Sequence, residues 1–283
     1  MKSREEIAAV LRGIKNLPTL PDVATKVIEL SEDPEVSPKM IAEAVERDPA
    51  IATRLLKLVN SPYFGIRGTV TSINQALVFL GVSNLRNLVL STSVMDLFSQ
   101  EGEVGSYDRK GLWLHSMATA VAARELSKRL RVVDPEVAFT AGLIHDVGKV
   151  VLDKYFPDDF KRVVELMDAH GSVMLDAEAA VFGLTHADVG LHLVHGWNLP
   201  EILRDAVGCH HAPRSARNNP QIAALVGYAD RVARELRLGN GGGEMPELDS
   251  QFNSVLPLQE NELERFCEET AEYFEEQVAA LAS

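Results

Sequence analysis

Cysteine is scarce in this chain. Two occur in 283 residues, Cys209 and Cys267, far apart and outside any CxxC pair, so no disulfide framework is built on them. Positive charge is short as well. Lys and Arg number 28 against 41 Asp and Glu, for a formal net charge of −13, which argues against non-specific binding to nucleic acid or to an anionic membrane. A local basic cleft stays open. The N-terminal "MKSREEIAAV" has no signal-peptide apolar core, and no apolar run approaches the roughly 18 residues of a membrane span. These absences predict a reducing, cytoplasmic setting and no membrane partner. Strand alternation is missing too, and no internal repeat is visible.

What is present is helical patterning. Ser3 and Glu6 fit a capping box ahead of Ile7, Val10, Leu11 and Ile14. "LPTLPD" forces an extended break, because proline disfavours helix in the residue before it. "VSPKM" and "RDPAI" each place a cap, Ser37 or Asp48, before a proline at the first helical position. A helix opening at Ser72 stops near Gly81, and an apolar one follows to about Phe98. The polar, glycine-containing segment 99–108 reads as a junction between two helical lobes, residues 1–100 and 101–283. Beyond it, helices are predicted near 109–131, from Asp134–Pro135 through "GLIHDVGKV", and near 157–169, 172–182, 186–195, 200–209, 220–237 and 261–282. Residues 239–251, "GNGGGEMPELDSQ", read as a flexible loop. The fold class is all-α: a two-lobed helical bundle.

The first lobe offers little chemistry. In "NSPYFG", Tyr63 and Phe64 fit a helix terminus closed by Gly65 better than an exposed recognition loop. The second lobe holds all eight histidines: His115, His145, His170, His186, His192, His195, His210 and His211. Histidine is the commonest metal ligand and binds as neutral imidazole. His170 at a helix end, and His192 and His195 without a carboxylate beside them, read as structural. His145 and Asp146 stand in an apolar segment with Leu143, Ile144, Val147 and Val150. His115 is surrounded by small residues, including Ala118, Thr119 and Ala122. Asp230 shares the apolar face of its helix with Ile222, Val226 and Ala233, while Arg231 points away, so its carboxylate needs a cation from elsewhere. His186 opens a helix, and the adjacent His210 and His211 end one. Lys149 either faces a phosphate oxygen or sits on the surface near a helix C-terminus.

His115, His145, Asp146, His186, His210, His211 and Asp230 form a mixed imidazole and carboxylate set. That set suits one or two divalent transition metals (Fe, Mn, Co, Ni or Zn) better than Ca or Mg. A water on such an ion, its pKa lowered, is the usual nucleophile for phosphoester hydrolysis, with Asp146 and Lys149 as catalytic candidates. From the residues alone, a metal cluster and a hydrogen-bonded polar core both stay open.

The order His115 … His145–Asp146 … Asp230 resembles the signature of the HD superfamily of metal-dependent phosphohydrolases. His186 and the His210–His211 pair resemble the additional ligands of its two-metal members, including the HD-GYP cyclic-dinucleotide phosphodiesterases. The resemblance to the HDOD branch is closer and spans nearly the whole chain: "LPTLPDVATKVIEL", "VERDPAI", "LLKLVNSPYFG" and "INQALVFLGVSNLRNLVL" in the first lobe, then "WLHS", "GLIHDVGK", "HADVGLHLVHGWNLPEIL" and "CHHAP" in the second. It implies a bacterial signal-transduction protein, a regulatory metal-binding module with other signalling proteins as partners and a nucleotide or phosphate as ligand. An active phosphohydrolase is the alternative. No GYP follows "HHAP", and Gly111 stands four residues before His115, where a third-metal carboxylate would be expected.

Overall fold

The structure, a computed structural model, describes residues 17–282 apart from 34, 62, 63, 67, 99–101, 244–247 and 249. The expected capping box at Ser3 and Glu6, and Tyr63, lie outside the described residues. The all-α class holds. Helices α1 (Asp22–Glu32), α2 (Pro38–Glu46), α3 (Pro49–Val59) and α4 (Ile73–Val94) build the first lobe. Asp48 caps α3, its side chain accepting from Ala50 and Ile51 N–H, and Pro49 occupies the first turn. Phe64 packs against the hydrophobic core with the Arg124 guanidinium 5.5 Å from its ring centroid, the packed role expected for it.

Within α4 the expected break stands at Gly81: its φ of 77° and ψ of 169° are non-helical, so Ile73–Val94 is two helical stretches joined across a kink. One expectation is overturned. The helix is long and apolar enough, by length and composition, to cross a membrane, contrary to the reading that no run qualifies. Its most apolar window is 56% buried inside the protein, where α4 packs on α1, α2, α3 and α6. Burial in a helical core accounts for the same composition.

Segment 99–108 contains a short antiparallel pairing, β1 (Glu103–Val104) with β2 (Tyr107–Asp108), where no strand was expected. Asp108 then caps α5 (Arg109–Leu130) through Lys110 and Gly111 N–H. There follow α6 (Pro135–Ile144), α7 (Val147–Tyr155), α8 (Pro157–His170), α9 (Met174–Phe182), α10 (His186–Gly196), α11 (Glu201–Cys209), α12 (Pro220–Glu235), α13 (Ser250–Val255) and α14 (Glu260–Ala282). Helix α5 is the hub, packing on α6, α12 and α14, while α10 lies on α7 and α11. One hydrophobic cluster runs from Leu20 to Val278 through both lobes.

The expected single helix through "GLIHDVGKV" is corrected. Helix α6 ends with His145 as its C-cap, and α7 starts with Asp146 as its N-cap at φ −96°, ψ 11°. The break turns two sequence neighbours toward one point, which a continuous helix, with successive side chains about 100° apart, does not do. Close approach of α7 to α10 depends on Gly148. A Cβ there would stand 1.9 Å from the His186 carbonyl oxygen.

Candidate metal centre

Seven side chains from five places in the chain converge in the second lobe. His115 comes from mid-α5, His145 and Asp146 from the α6–α7 break, and His186 from the first turn of α10. His210 and His211 follow α11, and Asp230 lies on α12. All are buried except His211, which is partly exposed. Donor atoms of His115, His145 and Asp146 lie within 4.8 Å of one another, and so do those of His186, His210 and His211.

Asp146 stands between these two groups. Its Oδ2 lies 3.2 Å from His145 Nε2 and 3.8 Å from His115 Nε2. Its Oδ1 lies 3.2 Å from His186 Nε2 and 3.9 Å from His210 Nε2. An aspartate at an N-cap ordinarily accepts from the backbone of its own helix, but Asp146 makes no such bond. Its carboxylate is turned into the cluster instead.

The imidazoles are oriented from outside. His145 Nδ1 donates to Gly142 O at 2.7 Å, and His210 Nδ1 donates to Val207 O at 2.9 Å. Each of these histidines caps its helix, and each ring folds back on a carbonyl three residues earlier. His186 Nδ1 lies 2.8 Å from the Glu178 carboxylate. Carbonyl and carboxylate oxygens only accept, so the three Nδ1 atoms carry protons, and the three Nε2 atoms, turned inward, are the positions left to ligate. His145 Nε2, His210 Nε2, His115 Nε2 and Asp146 Oδ1 are buried without a hydrogen-bond partner among the described residues. His115 Nε2 does lie 2.9 Å from Asp230 Oδ1, off the hydrogen-bond line.

Charge in the cluster is partly balanced. Lys149, 1% exposed, donates to Asp146 Oδ2 at 2.6 Å and to Gly241 O at 2.7 Å. This corrects the surface placement offered for it: Lys149 lies in the first turn of α7, inside the core. Arg234 donates to Asp230 Oδ1 at 2.8 Å and reaches the carbonyls of Gly241 and Gly242. Asp230 therefore has a local cation at i+4, which the sequence reading, looking only at Arg231, missed. Burial pushes the Asp146 carboxyl up, but His145, Lys149 and His186 outweigh it and hold it well below the usual range. Burial likewise opposes ionisation of Asp230 and is outweighed by Arg234 and His115. Burial pushes the His115 imidazole down to about 4, against attraction from Asp230. Burial, then the neighbouring His145 and His186, push His210 down to about 3. Neutral imidazoles are the form that ligates.

Three carboxylates, those of Asp146, Asp230 and Glu178, thus meet two cationic side chains, with lone pairs and an unpartnered carboxylate oxygen aimed at the same space. That donor set fits one or two transition-metal cations, which would supply the missing positive charge. The near end of the expected flexible loop is not free: Gly241 and Gly242 are buried against Lys149 and Arg234. Gly111 is where this strap lands. Its carbonyl accepts from Asn240 N–H at 2.8 Å, and a Cβ on Gly111 would stand 2.8 Å from Asn240 Cβ. A side chain at this position would require the Asn240 strap to shift. His170, His192 and His195 stay outside the cluster.

Comparison with known proteins identifies the family and the fold. A profile of the HDOD domain matches residues 17–213, so Asp230 lies beyond the matched segment. An HDOD domain protein of unknown function from Geobacter sulfurreducens has a crystal structure that is 27% identical. It aligns over 98% of this chain and 96% of its own, with a TM-score of 0.80. A Shewanella amazonensis protein, provisionally named a phosphohydrolase, shares the fold at 24% identity and a TM-score of 0.72 over 97% of this chain and 98% of its own. An uncharacterized protein from Treponema pallidum is 26% identical over 81% of this chain. The chain spans 44% of that relative's length.

Proposed function

We propose that this chain, which belongs to the HDOD domain family, is a regulatory metal-binding module of a bacterial, cytoplasmic signalling system. One observation carries the metal: among the described residues, the Nε2 atoms of His145 and His210 and Oδ1 of Asp146 are buried in one cluster without a hydrogen-bond partner, where carboxylates outnumber Lys and Arg. His115, His145, Asp146 and Asp230 would hold one ion and His186, His210 and His211 a second, with Asp146 between them. A bound ion would act as a Lewis acid and acidify its water. Fe, Mn, Ni and Zn all suit the donor set.

Enclosure supports regulation over turnover. The cavity at His210, His211 and Asp230 is about 100 Å³. Sites for small molecules run from about 300 Å³ upward. Lys149 and Arg234, the cations that a phosphoester would need, are engaged by Asp146, Asp230 and the Gly241–Gly242 carbonyls. The module would then signal through contacts with other signalling proteins, a nucleotide or phosphate ligand binding outside the enclosed cluster.

The second reading, an active phosphohydrolase, draws on a groove of about 600 Å³ on the other side of His211, lined by Thr185, Asp188, His192, His195 and Cys209. It gives a substrate room beside the cluster. Metal content of tag-free protein, followed by turnover assays on phosphodiesters and nucleotides with Mn, Fe and Ni, tests both readings. Stoichiometric metal without turnover is the expected result. Turnover lost in His145→Ala and Asp146→Ala would replace the regulatory reading with the enzymatic one, and substoichiometric metal under every loading condition would remove both.

A further inference from the structure

Glu178 is 0% exposed in the middle of α9, eight residues before His186. Its Oε2 accepts twice from that one residue: from the backbone N–H at 2.8 Å and from ring Nδ1 at 2.8 Å. Its Oε1 is buried with no hydrogen-bond partner. The salt bridge to His186 is the one Glu178 makes among the described residues, with no Lys or Arg involved. A carboxylate taken out of water needs a positive partner. Among the described residues, the partner it has is the His186 ring. On that ring's far side, Nε2 faces Asp146 Oδ1 at 3.2 Å and His211 Nε2 at 3.1 Å.

The other oriented ligands differ. His145 and His210 donate their Nδ1 protons to neutral carbonyls. Among the three oriented rings, His186 is the one backed by a carboxylate. The group His186, His210 and His211 otherwise contains only imidazoles and shares Asp146 with its neighbour. A carboxylate behind a ligating imidazole fixes its tautomer and raises its basicity.

We infer that Glu178 is the positioning residue of the imidazole-rich half of the site, supplying from behind His186 the negative charge that this half lacks and so setting its metal affinity. The inference rests on the metal-binding reading and adds a residue to it. Two variants separate its two actions. Glu178→Gln keeps an oxygen for the Nδ1 proton and removes the charge. Glu178→Leu removes both.

The experiment uses the full, tag-free chain. Histidine-selective ¹⁵N labelling reports the His186 tautomer without metal, and calorimetric titration with Zn²⁺ alone reports affinity. The expected result is an Nδ1-protonated His186 in the parent and in Glu178→Gln, with mixed tautomers in Glu178→Leu. Zn²⁺ affinity at one of two sites should fall about 10-fold in Glu178→Gln and about 100-fold in Glu178→Leu. The other site should stay within about threefold. If Glu178→Leu does not fold, the isosteric Glu178→Gln carries the test alone. Unchanged affinity at both sites in a folded Glu178→Gln overturns the inference. If the parent binds no Zn²⁺, the metal reading fails by itself; the tautomer then decides, an unchanged His186 in Glu178→Leu overturning the role of Glu178 and a changed one supporting it.

Discussion

The two halves of the cluster handle charge in opposite ways. On one side, Asp146 and Asp230 sit among the candidate ligands, and the cations that balance them, Lys149 and Arg234, stand beside them in the core. On the other, the candidate ligands are imidazole rings, and the carboxylate, Glu178, is one residue removed. The first half is a buried ion-pair network that is largely complete without a metal. The second carries a negative charge with no cation of its own. The difference teaches that the two positions are unequal in what they ask of an ion. On the carboxylate side an ion competes with built-in cations, and on the imidazole side it fills a deficit.

The largest predicted effect comes from removing what both halves share. Asp146→Ala leaves Lys149 buried without its partner and takes an oxygen from each group. A loss of about 3–5 kcal/mol in urea unfolding is expected, together with loss of both ions by elemental analysis. Retention of one ion at full occupancy would show that Asp146 does not join the halves.

Arg234→Met breaks one half alone. It strips Asp230 of its guanidinium and removes the Arg234 donors from the Gly241 and Gly242 carbonyls, leaving Lys149 on Gly241 O. Metal-free protein should lose about 2–4 kcal/mol. Adding Zn²⁺ should restore more of that loss than it adds to the parent, because the ion then replaces the guanidinium. Equal metal-induced gains in melting temperature would contradict the competition argued above.

Gly148→Ala acts on the other half. The new methyl meets the His186 carbonyl, so α7 and α10 must part, at a cost of about 1–3 kcal/mol. Calorimetry should record weaker binding of one ion and an unaltered second. Parallel weakening of both would mean that the halves are mechanically one.

The smallest effect is a pH dependence. His115 and His210 sit near 4 and 3 in the folded protein, below the ordinary 6.5. The unfolded chain therefore takes up protons first as pH falls. Their contribution to stability is full above about pH 6.5 and is lost as pH drops toward 4 and then 3. Thermal melts of metal-free protein should be level between pH 7 and 8 and should decline below 6.5. His210→Gln should flatten that decline more than His115→Gln, since His210 is the more depressed. The reverse order would place the stronger desolvation on the carboxylate side.

Much of this was legible in the chain. Helices α8 through α12 lie close to their predicted spans, because the Thr185 cap and the Gly171 and Gly183 terminators act locally. The clustering of histidines in one lobe, and Asp230 on an apolar helix face, pointed to the residues that converge. Arg234 was legible too, since i+4 pairs share a helix face. Glu178 was not. Nothing in "MLDAEAAVF" marks it out; the fold sets its carboxylate against the backbone N–H and ring of His186 at the start of α10.

By itself the sequence determined the all-α class, the family and the candidate ligands, because helix periodicity, caps and motif spacing are properties of neighbouring residues. Tertiary structure alone decided the break between His145 and Asp146, the burial of Lys149, the strap over the site and the role of Glu178. Each of these depends on how closely α5, α7, α9, α10 and α12 approach one another. Desolvation, which makes charge and tautomer matter here, arises only once those helices have excluded water.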